Sequence, residues 1–176
     1  MDAHLRLMRP TDAEPVYRLL SDIDTIRYML FERHTREQAM AFVCASEPQA
    51  LGLDRFAIDR AIVEAGRDEL IGLCGLVIDQ PREEAEAWYL MLPEARGRGL
   101  ATSALRKLLA SGFADFGLHR IWACVVPVNA ASCRVLEKAG MRREGHSLRN
   151  LRIHGEWMDS YLYAMLREEW RPVTST

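Results

Sequence analysis

The chain has 176 residues, of which 49% are hydrophobic and 27% charged, with a formal net charge of −2. This suits one well-buried domain and excludes a disordered chain. It also lacks the basic excess a nucleic-acid binder needs, and its longest apolar run, Leu70 to Ile78, is strand-sized rather than the ~20 residues of a membrane span.

His4 to Met8 alternates as a short strand. Thr11 opens a helix through Leu20, with Asp12 and Glu14 in the first turn, where the helix dipole favours acids. Thr35-Arg36-Glu37-Gln38 has capping-box form and starts a second helix to about Ala45. Three strands follow, Arg55 to Glu64, Glu69 to Asp79 and Glu84 to Leu92, joined by turns at Ala65-Gly66-Arg67-Asp68 and Gln80-Pro81-Arg82-Glu83. Leu105, Leu108, Leu109, Phe113 and Phe116 then recur at helical spacing, and Gly117 stops that helix. Ile121 to Val126 is a short buried strand. Asn129 caps a compact helix to Ala139, and Gly140 suits the left-handed residue that ends it, with Leu136 and Met141 meeting in a Schellman cap. Arg142 to Leu166 forms two strands around His154-Gly155. The order β-α-α-β-β-β-α-β-α-β-β describes an α/β protein, a mixed sheet with helices on both faces. Residues 4–170 form one domain in this reading, and residues 171–176 are a polar tail.

The four cysteines, Cys44, Cys74, Cys124 and Cys133, include no CxxC pair, and the five histidines no HxxxH pair. Neither a disulfide framework nor a metal site is expected, and a reducing cytoplasm suits such a chain. Asp2, His4, Arg6 and Arg9 interrupt the N-terminus before an apolar stretch could serve as a secretory leader.

The chemistry concentrates between the third strand of the trio and the long helix, at Arg96-Gly97-Arg98-Gly99-Leu100-Ala101-Thr102. Two glycines one residue apart permit a tight turn that exposes successive N–H groups, and the helix behind offers unpaired donors and a positive dipole end. Arg96, Arg98, Arg106 and Lys107 add local positive charge, so a phosphorylated ligand is expected here. No Gly-Lys-Ser/Thr follows, which excludes a P-loop, and Thr102 stands where a dinucleotide fingerprint needs its third glycine. The pattern R/Q-x-x-G-x-G/A is met in full by Arg96 to Ala101.

In that loop the sequence resembles the GCN5-related N-acetyltransferase (GNAT) family, which holds the pyrophosphate of acetyl-CoA there. The likeness continues in Glu86-Ala87-Trp88-Tyr89-Leu90-Met91-Leu92-Pro93-Glu94, and in Asn129-Ala130-Ala131-Ser132 running on to Val135-Leu136-Glu137-Lys138-Ala139-Gly140-Met141. It ends in Gly155-Glu156-Trp157-Met158-Asp159, Tyr161, Tyr163 and Glu169-Trp170, which are similar to the branch that acetylates ribosomal-protein N-termini. The resemblance implies a sheet of about seven mainly antiparallel strands that splay at the cofactor site. It further implies direct attack of an amine on the thioester, without an acyl-enzyme.

On the family pattern, backbone groups of Leu90, Met91 and Leu92 would pair with the pantetheine arm, the Leu92 N–H would polarise the acetyl carbonyl, and Asn129 would contact pantetheine. Glu86 is the candidate base, its alternative being a solvated edge residue among Glu83 and Glu84. Leu136 stands where many members carry the tyrosine that protonates the departing thiolate. Ser132 matches the serine proposed for that role in the ribosomal-protein branch, its alternative being an ordinary helix-start serine. Cys124 and Cys133 read as small buried hydrophobes, and Trp88, Trp122 and Trp157 as core or pocket wall. Family geometry would place Tyr28, Phe31 and Trp157 at an acceptor groove.

The resemblance favours a protein or peptide N-terminus as acceptor. Small amines such as polyamines, amino acids or antibiotics are the alternative, and a non-catalytic acyl-CoA sensor is an alternative of another class. Relatives also suggest a homodimer formed through the C-terminal strands. No nucleic-acid or membrane partner is expected.

Overall fold

The computed structural model describes residues 1–45, 49–52 and 54–171. Its strands are β1 (Ala3–Arg6), β2 (Gln49–Gly52), β3 (Arg55–Glu64), β4 (Leu70–Asp79), β5 (Glu84–Met91), β6 (Arg120–Val125), β7 (Arg142–Ile153) and β8 (Glu156–Leu166). Its helices are α1 (Ala13–Ser21), α2 (Ile23–Ile26), α3 (Arg36–Cys44), α4 (Leu100–Ala114) and α5 (Ala130–Ala139). Residues 172–176 of the expected tail lie outside the described residues, and no described helix is long and apolar enough to cross a membrane.

The eight strands make one sheet in the order β1-β3-β4-β5-β6-β8-β7, with β2 beside β1 on the outer edge of β3. Every pairing is antiparallel except β5 with β6. That parallel pairing covers only Glu84–Glu86 against Arg120–Trp122. Beyond it the two strands part, and this notch positions the site.

Each face of the sheet has its own core. On one, Leu100, Leu105, Leu108 and Phe113 of α4, with Leu136 of α5, pack against Leu76, Ile78, Ala85, Ala87, Ile121 and Ala123. On the other, Val16 and Leu19 of α1 and Ala39 and Val43 of α3 pack against Leu73, Leu90 and Leu92. Burying each Leu, Val or Phe is worth about 1.5–3 kcal/mol. A fork of hydrogen bonds at 2.7 and 2.8 Å from Arg6 to the buried Asp12 carboxylate ties the end of β1 to the start of α1.

The expected elements form with small shifts. The capping box at Thr35 and Gln38 is present, as is the Schellman pattern at Gly140, where the Met141 N–H donates to the Leu136 carbonyl at 3.1 Å. His154 (φ 47°) and Gly155 (φ 88°) make the tight turn between β7 and β8. The helix expected from Thr11 begins instead as a 3-10 turn, Pro10–Asp12, because Asp12 accepts the Arg9 N–H at 2.8 Å; α1 starts at Ala13. Two elements had no sequence signal: α2 is too short to show periodicity, and β2 is exposed along its length with no apolar alternation.

Candidate active site

Where β5 and β6 separate, a cavity of about 460 Å³ opens between the loop after β5, the start of α4, the inner side of α5 and α2. Gly97 (φ 74°) and Gly99 (φ 79°) hold left-handed conformations, and a Cβ at either would meet nothing within 4 Å, so the backbone lies open to a ligand. Gly99 caps α4 without a side-chain acceptor, and the first intrahelical bond runs from the Ser103 N–H to the Gly99 carbonyl at 3.1 Å. The N–H groups of Leu100, Ala101 and Thr102 therefore lack helix partners and border the cavity. Open glycines followed by free N–H donors fit a pyrophosphate.

The charges expected beside the loop lie elsewhere. The Arg96 guanidinium turns inward, donating to the Met91 carbonyl at 2.9 and 3.0 Å and to the Thr25 hydroxyl at 2.6 Å, which pins the end of β5 to α2. Arg98 pairs with Glu64 and does not line the cavity. Lys107 pairs with Asp2 at 2.9 Å, and Arg106 donates to the Lys138 carbonyl at 2.5 Å. The cations that border the cavity along with Arg96 are Arg134 and Lys138 on α5. Sequence reasoning missed both, although their i, i+4 spacing is the signal that places them on one helix side.

Strand alternation corrects the expected backbone donors. The Leu92 N–H donates to the Ile71 carbonyl at 2.9 Å, across the β4 edge. It is already paired, so it cannot polarise an acetyl carbonyl. In an antiparallel ladder the direction of backbone groups alternates. From this register Leu90 also turns its backbone toward β4, while Tyr89 and Met91 turn theirs toward the notch. Of the three residues expected to meet pantetheine, Met91 alone has that orientation; Leu90 and Met91 line the cavity and Leu92 does not.

Side chains of β5 alternate too. Ala85, Ala87, Tyr89 and Met91 face α4 and α5, whereas Trp88 and Leu90 face α1 and α3. Glu86 shares the second face and does not reach the main cavity. It borders a smaller one of about 240 Å³ with Arg55, Val77, Asp79, Arg82, Glu84 and Trp122. Partial burial pushes its carboxyl above the usual carboxylate range, with Arg55 partly opposing the shift. Cys124 is exposed and not the buried hydrophobe expected, because alternation along β6 turns it away from Ala123 and Val125 in the core. Desolvation and then the charge of Glu86 raise its thiol, which disfavours a thiolate nucleophile.

On the α5 side, the Asn129 carboxamide accepts the Ser132 N–H at 3.2 Å, so Asn129 is the expected cap. The Ser132 hydroxyl does not cap the helix; it lies 2.7 Å from the Tyr89 hydroxyl, and both residues line the cavity. Burial pushes the Tyr89 phenol up to about 12, with the Ser132 hydrogen bond working the other way. Leu136 is fully buried in the core. Sequence reasoning singled out Ser132 but not Tyr89, which sits 43 residues away and meets it through the fold.

Among the described residues no cluster of His, Cys, Asp and Glu could hold a metal. The Acetyltransferase (GNAT) domain model matches residues 3–142. The uncharacterized N-acetyltransferase YnaD of Bacillus subtilis is 33% identical over 159 residues, 90% of each chain. YdaF of the same organism, which carries a provisional name as a ribosomal N-acetyltransferase, is 33% identical over 61% of each chain. A crystal structure of a GNAT-family acetyltransferase from Bacillus anthracis superposes with a TM-score of 0.83 at 30% identity, covering 96% of both chains. These matches over most of its length, to which the open glycine turn at a parting of strands conforms, show that the chain belongs to the GNAT family of acetyltransferases.

Proposed function

We propose that this acetyltransferase modifies the free amine of a protein or peptide N-terminus. As a GNAT enzyme it takes its acetyl group from acetyl-CoA, which supplies an activated thioester for the amine to attack. The observation that carries the site assignment is the placement of Glu86 and Ser132 on opposite faces of β5, beside the notch where β5 leaves β6. Gly97, Gly99 and the first turn of α4 would hold the pyrophosphate, with Arg134 and Lys138 supplying charge across the cavity. The N–H groups of Tyr89 and Met91 would meet the arm in the notch. Glu86, with its carboxyl raised by burial, would take the proton from the incoming ammonium on the α1 and α3 face. The Ser132 hydroxyl would donate a hydrogen bond to the sulfur on the other face.

Arg55 and Arg82 stand among Asp79, Glu84 and Glu86 around the smaller cavity, and such a mixed lining suits one ammonium better than a polycation. This places a polyamine second. That second reading is supported by the spermidine N(1)-acetyltransferase of Vibrio cholerae, 31% identical over 57% of this chain. The YdaF likeness supports the N-terminal amine. An acceptor screen that follows release of free CoA decides between them. Peptides with free N-termini should be turned over far better than polyamines, amino acids or aminoglycosides. Preference for spermidine, or no activity on any peptide, would overturn the acceptor assignment. Binding of acetyl-CoA with no turnover of any amine would favour a sensor.

A further inference from the structure

We infer that Tyr89 is a positioning residue that aims the Ser132 hydroxyl at the departing sulfur. The inference rests on the role proposed for Ser132 and adds a second group to it. The two hydroxyls are 2.7 Å apart at the cavity wall. A serine hydroxyl is one donor with free rotation, so on its own it can point its proton anywhere. Its N–H is held by Asn129, which fixes the backbone but not the rotor. When the phenol donates to Ser132 Oγ, the nearer of its two acceptors beside the Ser132 carbonyl at 3.4 Å, the serine's own proton has to point elsewhere, and Ser132 lines the cavity.

The chemistry sets the phenol's limit. Tyr89 keeps its proton well above neutral pH, because burial penalises the phenolate. It is a weaker acid than a free thiol, whose pKa is about 8.5. Full transfer to the sulfur is therefore uphill, and the pair acts by hydrogen bonding. The amine nitrogen bonds to the carbonyl carbon and the carbon–sulfur bond breaks with its electron pair on sulfur. The base passes the ammonium's proton to solvent, the nitrogen that has attacked then loses its second proton to that base, and the thiolate takes a proton from solvent on release. With Leu136 buried in the core and carrying no hydroxyl, the phenol of this site comes from β5 instead of α5.

The test measures CoA binding by calorimetry from pH 7 to pH 9, beside kcat and KM. A donor aimed at the sulfur stabilises the bound thiolate and lowers the bound thiol's pKa, so CoA affinity rises with pH. A one-unit depression tightens binding about tenfold across the titration. Desulfo-CoA, which lacks the sulfur, corrects for the other charged groups of the cavity, Asp24, Arg96, Arg134 and Lys138. Tyr89→Phe keeps the ring and should lose most of the pH-dependent tightening. It should lower kcat about fivefold with KM for acetyl-CoA unchanged, and Ser132→Ala should lower kcat about tenfold or more. Because Tyr89 acts through Ser132, the double variant should be no slower than Ser132→Ala alone. If Tyr89→Phe keeps wild-type kcat and pH dependence while Ser132→Ala loses both, the positioning role is wrong and the serine's role stands. If both variants match the wild type, the Ser132 assignment itself fails. A slow Tyr89→Phe beside a wild-type Ser132→Ala would also overturn the inference, since the phenol would then act without the serine. Should Tyr89→Phe fold poorly, the same comparison with Tyr89→His, read only through CoA binding against desulfo-CoA, decides the point.

Discussion

The two faces of β5 differ in how they are built. On the α4 and α5 face, polar groups are fixed by specific partners: Arg96 on Met91 and Thr25, Asn129 on the Ser132 N–H, Tyr89 on the Ser132 hydroxyl. On the α1 and α3 face beyond the core, Glu86 has no hydrogen-bond partner among the described residues and borders a cavity of mixed charge. A donor that is the same in every turnover rewards a rigid, preorganised wall. A half-buried carboxylate that only the charge of Arg55 offsets is costly to folding, which suits the proposed role in moving a proton.

The largest expected effect tests the second face. Glu86→Gln removes the proton acceptor while keeping size, and should lower kcat about a hundredfold. In the wild type the base works only when deprotonated, so the rate falls as pH drops through its raised pKa. Arg55→Ala, which removes the opposing charge, should move that limb to higher pH. The linkage to stability has the opposite sign to an ordinary ion-paired carboxylate. A folded-state pKa above the unfolded value favours the protonated form in the native protein, so the ionised group costs stability at neutral pH. Glu86→Gln should accordingly raise Tm while it lowers the rate. Wild-type kcat in this variant would remove Glu86 from the chemistry and leave it a half-buried residue of the smaller cavity.

A smaller effect tests the rigid face. Gly99 adopts φ 79°, which strains a β-branched residue by about 1–3 kcal/mol, and its open side is where a phosphate would lie. Gly99→Val should weaken acetyl-CoA binding about tenfold or more by calorimetry, with the melting transition kept cooperative. Unchanged affinity in a folded protein would remove the loop from the donor site.

These faces were not equally legible in sequence. The loop, its helix, the Asn129 cap and the capping box at Thr35 are local patterns, and each is where the spacing put it. What escaped depends on partners remote in the chain. The Leu92 N–H looked available until Ile71 took it, and Tyr89 gained its hydroxyl partner only when α5 packed beside β5. Arg98 looked like a phosphate ligand because no sequence rule shows that Glu64, 34 residues earlier, faces it. Side-chain direction in a loop is decided by tertiary neighbours, whereas glycine spacing is decided by the backbone itself.

That contrast yields the smallest and sharpest prediction, within the loop itself. Arg96 and Arg98 are two residues apart in the same glycine-rich stretch, and composition treats them alike. The structure does not: Arg96 holds the Met91 carbonyl at the end of β5, while Arg98 pairs with Glu64 outside the cavity lining. Arg98→Ala should change acetyl-CoA affinity less than about twofold, and its stability cost should fall in the range of about 0–1 kcal/mol expected of a partly exposed pair. Arg96→Ala should cost more in both, because it leaves the Met91 carbonyl unpaired beside the notch and frees α2 from the strand. Calorimetry and melting on the two variants settle the matter together. If Arg98→Ala weakened donor binding as much as Arg96→Ala, the guanidinium would have to leave Glu64 and turn to the phosphates on binding. The charge of the loop, and not its backbone alone, would then carry recognition. If the two variants separate as expected, the loop binds through glycine geometry and helix N–H donors, with Arg96 as its internal brace.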